Sequence, residues 1–323
     1  MVLVMRQGPS NPKRQHWVPE CYLNAWAVPS AKDDKSGVWR IDRVTRQGQL
    51  LSLDNVCVEG HIYTRELPNG ERDFALERML SELEDIFVQI IREVIVPMKP
   101  LDAEDRAALA YFTAAMLART PLQRDHTQGQ WQEMLEMMQQ MERKAKTMSP
   151  EQLQGWSRVA PGGGPTMTME QVEELARRPM QHTLLPTMRG MGRILSQMSI
   201  AVLIPHSRHF ITSDAPCVMF DPLAHTRPPF YRHVGLGHPS TEVTLPLAPN
   251  RMLSFSWLSG VNGLYLEVPD DFVDERNRTT QFHADKWIVS SENETRDAWF
   301  KERELPADAW EYSEQAKKAS TAE

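Results

Sequence analysis

Long apolar runs are missing from this chain. No stretch approaches the ~18 consecutive apolar residues of a membrane-crossing helix, so no membrane span is expected. Met1 to Asn11 lacks the apolar core of a secretory signal. Cysteine is scarce. Cys21, Cys57 and Cys217 form no CxxC pair and no even set, which argues against a disulfide framework and fits reduced thiols in a cytoplasmic protein. An excess of positive charge is also absent. The formal net charge of −7 removes an overall basic footprint for nucleic acid, so an anionic ligand needs a local basic pocket. No HExxH, GxSxG, Walker A or GxGxxG pattern occurs, and no internal repeat is present.

What is present suits a folded core. The chain has 323 residues, 41% hydrophobic and 24% charged, enough for one large domain or two ordinary ones. The 18 methionines are many for this length. They concentrate between Met134 and Met198, where they are expected to fill helix contacts rather than bind metal.

Pro19 can open a short helix whose Tyr22, Leu23 and Trp26 share a face. Val38–Asp42 alternates like a half-buried strand, and Gln47-Gly48-Gln49 suits a turn before Leu50–Leu53, so a hairpin is expected. Leu76 to Val96 carries apolar residues at helical spacing until Pro97 and Pro100 stop it, with Glu84 on the margin of the stripe. A second helix starts at Asp102, is rich in alanine, and ends near Arg119. Gln123 to Lys146 reads as a polar outer helix. Ala160 to Pro165 reads as a flexible link. Thr168 opens a short helix to Arg177, and Met180 to Met198 continues as a helix bent near Pro186. Short β-type runs then follow: Ile200–Ile204, Phe210–Thr212, Cys217–Phe220, Glu242–Leu247 and Met252–Leu258. Asp270–Ala284 reads as a helix and Trp287–Ser290 as a returning strand.

Several blocks taken together have a counterpart. Gln15-His16-x-Val18-Pro19-x-x-Tyr22-Leu23-x-x-Trp26 resembles the opening motif of the uncharacterised family catalogued as domain of unknown function 4238, where the last position is commonly Phe. The resemblance continues through Val56-Cys57-x-Glu59-x-x-x-Tyr63-Thr64, Leu83-Glu84, Arg119-Thr120-Pro121, Phe210-Ile211-Thr212-Ser213-Asp214-x-Pro216 and Asn277. The order holds over residues 15–291. Such proteins usually have Asn after Asp214; Ala215 here removes one polar group. The resemblance implies no activity, so the chemistry must come from residue types.

His16, Glu59, Glu84, Arg119 and Asp214 are the catalytic candidates, with Ser213, Asn277 and Tyr63 as substrate contacts and Glu84 and Asp214 as metal ligands. Carboxylates with histidine suit a divalent metal and an activated water. With arginine they also suit metal-free acid–base work on a phosphate or glycosidic substrate. Each residue has a structural reading beside the functional one. Glu84 and Arg119 can pair as boundary charges, Asp214 can cap a turn, His16 can bond a backbone carbonyl, Asn277 can bond a strand end, and Tyr63 can pack. The three cysteines fit small core positions.

The expected fold is α+β: an N-terminal β-hairpin, a central helical bundle over 76–198, and a C-terminal mainly antiparallel sheet with a late helix over 199–291. One integrated domain is expected over 12–300, followed by a charged tail, 301–323, that frays after Trp310. The functional expectation is a hydrolase, a metal-assisted phosphodiesterase or nuclease of a defence or toxin type, acting on a phosphate-containing small molecule or nucleic acid. The alternative is a non-catalytic ligand- or protein-binding module whose motif residues form a structural ion network.

Overall fold

The computed structural model describes residues 13–29, 36–67, 69–153 and 167–301. The expected link at 160–165 and the tail after residue 301 lie outside the described residues. The N-terminal part opens with β1 (Arg14–His16), the short helix α1 (Glu20–Leu23), β2 (Val28–Pro29), β3 (Ser36–Asp42) and β4 (Gly48–Ser52). It continues with β5 (Val58–Gly60), β6 (Arg65–Glu66) and β7 (Arg72–Asp73). β3 and β4 form the expected hairpin. β1 pairs antiparallel with β5, which sets His16 opposite Val58.

The central helices are α2 (Ala75–Ile90), α3 (Ala103–Ala118), α4 (Pro121–Ala145), α5 (Met169–Arg177) and α6 (Pro179–Leu195). α2 buries Leu80, Phe87 and Ile90. It winds on through a π-helical turn, Ile91–Ile95, instead of remaining α-helical to Val96. Pro97 has no N–H to extend the ladder, and Met98 closes the end at φ 58°. α3 starts with a reciprocal capping box between Asp102 and Asp105. Its alanines keep it thin, so it is buried on nearly every side. Gly192 of α6 lies against the Tyr111 ring, where a Cβ would stand 2.6 Å from a ring carbon. Phe87 of α2 stacks on Phe112 of α3 at 3.8 Å between centroids. Pro186 sits inside α6, as expected.

The methionines do not all fill contacts. Met180, Met188 and Met198 are buried, whereas Met134, Met137 and Met141 of α4 are exposed. Every described position of α4 retains some exposure, in keeping with an outer helix, so those methionines lack a second surface to fill. None of the described helices is long and apolar enough to cross a membrane.

The C-terminal part supplies β8 (Ser199–Pro205), β9 (Thr212–Ser213), β10 (Val218–Phe220), β11 (Glu242–Ala248), β12 (Arg251–Ser256) and β13 (Leu264–Val268). Helix α7 (Asp270–His283) and β14 (Trp287–Ser290) follow. One sheet runs β10-β11-β12-β8-β13 and is antiparallel except where β13 joins β8. The other runs β2-β3-β14-β9, with β4 also on β3. The N-terminal hairpin is therefore completed by strands from the far end of the chain. The largest buried cluster joins Val18, Tyr22 and Trp26 to Phe87, Phe112, Val202, Leu245 and Val289. A fully buried side chain of this kind contributes roughly 1.5–3 kcal/mol. The architecture is α+β.

Candidate functional site

A cavity of about 1000 Å³ opens between the N-terminal segment and the outer face of α2. Arg14, His16, Glu20 and Cys21 form one wall, Glu77, Arg78, Ser81, Glu84 and Asp85 the other, with Leu53 and Tyr63 among the remaining lining. Glu77 and Glu84 lie seven positions apart, two helical turns, so they share a face and are about 10 Å apart along the axis.

The two carboxylates have different surroundings. Glu84 Oε1 accepts from Arg119 Nη1 at 2.7 Å. Arg119 follows the last residue of α3, and its side chain is 1% exposed. Its Nη2 donates to Met116 Sδ at 3.0 Å, and Phe112 lies under the guanidinium with its centroid at 6.0 Å. Arg119 Nε finds no acceptor among the described residues. Glu77 has neither a hydrogen bond nor an ion pair with any described residue, although it is half-buried. Burial, reinforced by the Glu84 charge and opposed by Arg119, pushes its carboxyl up to about 7. Its place in the first turn of α2 works the other way, but only modestly.

His16 reaches the cavity with its ring Nε2 3.3 Å from Leu53 O. A carbonyl only accepts, so this bond puts the proton on Nε2 and leaves Nδ1 as the basic nitrogen. Tyr63 is buried, which pushes its phenol up, and its hydroxyl lies 3.4 Å from His16 O and 3.5 Å from Arg119 O. Cys21 corrects its assignment to the core: it is exposed at the cavity, while Cys57 and Cys217 are buried. Crowding around the thiol, with Glu84 nearby, pushes it up to about 12, so it stays protonated.

The remaining candidates serve elsewhere. Glu59 is exposed on β5 and receives Arg124 Nη1 on both oxygens at 2.8 Å. Asp214 turns its carboxylate onto the backbone: Oδ1 accepts from Asp285 N at 2.9 Å, and Oδ2 accepts from Lys286 N at 2.8 Å and Trp287 N at 3.1 Å. Burial raises the Asp214 carboxyl above its usual range, and those three donors draw it back. Ser213 Oγ accepts from Ala215 N. Asn277 bridges the main chain, accepting from Ile211 N and donating to His209 O. Neither Glu59, Asp214, Ser213 nor Asn277 is among the cavity lining. Both Asp214 oxygens are thus engaged by backbone amides. Among the described residues, no group of three or more His, Cys, Asp or Glu could hold a metal ion.

Glu77 was not among the candidates. Its signal was the spacing to Glu84, which places both on one side of α2.

The sequence blocks turn out to bond one another. Gln15, buried, accepts from Tyr63 N at 2.8 Å and donates to Thr64 Oγ1 at 3.0 Å. Trp17 Nε1 donates to Asp214 O, Tyr22 Oη to Pro246 O, and Trp26 Nε1 to Phe210 O. This is an α+β protein whose distant blocks are tied together beside an acidic cavity. The chain belongs to the family described as protein of unknown function (DUF4238), whose model matches residues 14–294. No curated protein and no solved structure matches it.

Proposed function

We propose that the protein is a hydrolase whose acid–base group is Glu77. One observation carries this reading: a half-buried carboxyl without a partner among the described residues faces a large cavity beside a second carboxylate paired with a buried arginine. Two carboxyl groups in unlike environments divide acid and base roles. Glu77 gives its proton to the leaving group as the scissile bond breaks. The attacking water oxygen bonds to the reacting centre, and its proton passes to His16 Nδ1 or to the free oxygen of Glu84. The roughly 10 Å between the two carboxylate-bearing positions leaves room for a scissile bond and a water.

The test is a panel of p-nitrophenyl esters, amides and glycosides, with bis(p-nitrophenyl) phosphate assayed with and without Mn²⁺. Glu77→Gln is expected to lower kcat by roughly 10²–10⁴-fold on whichever class turns over. No turnover on any substrate, or full activity in Glu77→Gln, sinks the reading. Turnover of the phosphodiester only with Mn²⁺ favours instead a metal-assisted phosphodiesterase.

A second reading is a ligand-binding module. The Glu84–Arg119 pair favours it, because a buried arginine clamped under α2 also serves as a structural tie.

A further inference from the structure

We infer that the connection between β10 and β11 seats the protein on an anionic lipid surface, with Phe230 and Tyr231 entering the headgroup layer. The inference goes beyond the hydrolase reading, since no residue of this connection lines the cavity. Phe230 is 79% exposed, Tyr231 65% and Leu223 53%. Single exposed apolar side chains are ordinary on a protein surface, but an adjoining pair marks a contact. The two rings meet edge to face with centroids 5.4 Å apart, so they form one patch. The charge around them is one-sided. Between Asp221 and Glu242 the sequence has no aspartate or glutamate, in a chain of formal net charge −7. Asp221 itself is buried and paired with Arg227, which cancels the acid at the start of the connection. Arg232 and His233, both exposed, have no acidic partner among the described residues.

The connection is tied down on either side of that patch. Leu223 N donates to Asp221 Oδ1 at 2.9 Å, Thr241 Oγ1 to Gly235 O at 2.8 Å, and Trp257 Nε1 to Leu236 O at 2.8 Å. Pro228 and Pro229 restrict φ just ahead of the rings. Arg232 Nε donates to Arg227 O at 2.9 Å, which leaves the outer N–H groups of its guanidinium for a phosphate. A membrane surface uses both parts: aromatic rings settle at the headgroup level, and the cation meets anionic lipid. Contact of this kind needs no membrane-crossing helix. A single nucleic-acid strand fits less well. Its successive bases stack in parallel, whereas these ring planes stand at 87° to each other. One arginine without an acidic partner also neutralises few phosphates.

Co-sedimentation of the full chain with phosphatidylglycerol–phosphatidylcholine vesicles tests this, with pure phosphatidylcholine vesicles as the neutral surface and a fluorescent single-stranded oligonucleotide as the other anion. The protein is expected to pellet with the anionic vesicles at low salt, and far less with the neutral ones or at high salt. Phe230→Ser combined with Tyr231→Ser should lower the partition coefficient about tenfold or more. Arg232→Ser should lower it about fivefold. Val44→Ser, which removes an 82% exposed side chain from the β3–β4 turn, should leave it unchanged. All these positions are exposed, and unchanged melting temperatures confirm that the variants are folded. The inference is overturned if the wild type stays in solution with anionic vesicles, if neutral vesicles bind it equally, or if the aromatic double variant partitions like wild type. Saturable binding of the oligonucleotide, lost in the double variant, with no binding to vesicles, also overturns it and makes the patch a nucleic-acid contact. Vesicle binding that depends on Phe230 and Tyr231, in a protein that turns over no substrate, upholds the inference and removes the hydrolase reading.

Discussion

Arg119 and Glu84 meet at 2.7 Å from unequal depths, the arginine side chain 1% exposed and the glutamate 25%. The cation is therefore the costlier partner to strand. Glu84→Gln leaves a buried guanidinium without its counter-charge, a loss of about 3–5 kcal/mol, and Arg119→Met should cost less because Glu84 can turn to water. The double variant should recover part of the loss. Urea unfolding of all four forms measures the coupling. A neutral or stabilised Glu84→Gln argues that the pair holds strain for catalysis instead of supporting the fold.

Glu77 should give stability a pH dependence of known sign. Its folded-state value of about 7 lies above the ordinary 4.5, so the folded state holds this proton more tightly. Its contribution is fully present below about pH 4.5 and is lost as pH rises through about 7. Glu77→Gln should match the wild type near pH 4.5 and exceed it at pH 8, by an amount on the order of 1 kcal/mol after allowance for partial exposure. Melting temperatures of both proteins from pH 4.5 to 8 show it, and a constant difference across that range contradicts it.

Asp214 should act on stability and not on metal response. Asp214→Ala strips three amide donors of their acceptor, a loss of about 3 kcal/mol or more, and Asp214→Asn should fall between. Thermal shifts with Mn²⁺ should be the same in wild type and Asp214→Asn. A metal stabilisation that disappears in the variant restores Asp214 as a ligand.

Met98 is exposed and left-handed at φ 58°, closing the end of α2 where glycine carries no Cβ penalty. Met98→Gly should stabilise the protein by about 1 kcal/mol, read as a raised urea midpoint. An unchanged or lowered midpoint shows that Met98 contributes packing.

The sheet shared by β3, β9 and β14 leads us to propose one integrated domain. Limited proteolysis should yield no pair of fragments, divided near residues 198 and 199, that are each stable alone. Two such fragments, each melting cooperatively, reject the proposal.

The helices were legible because their evidence is local. Asp102, Thr168 and the stripe after Leu76 carry caps and periodicity within a few residues of where they act. β13 was not, since Leu264 is exposed and Tyr265 and Leu266 only partly buried, which blurs the alternation a strand shows. The Phe210–Thr212 run was expected to be a strand, yet its ladder is limited to Thr212–Ser213 against β14. The site was less legible still. Asp214 looked chemical as a carboxylate between two apolar segments, but its role is set by amides of residues 285–287, which the local sequence does not reveal. Glu77 sits in the first turn of α2, an ordinary place for an acid. Its character comes from what tertiary packing leaves unpaired around it.

The register of β14 bears on how the chain is made. Trp287 to Ser290 zip against Asp42 to Trp39, so the hairpin emerging early from the ribosome waits with one edge bare until nearly every other described residue has been synthesised. Val38 and Ile41, later fully covered, belong to that waiting strand. An open edge with apolar residues invites pairing with other chains. Newly made protein should therefore aggregate from its beginning rather than its end, and slowing translation over residues 200–290 should lower the soluble yield.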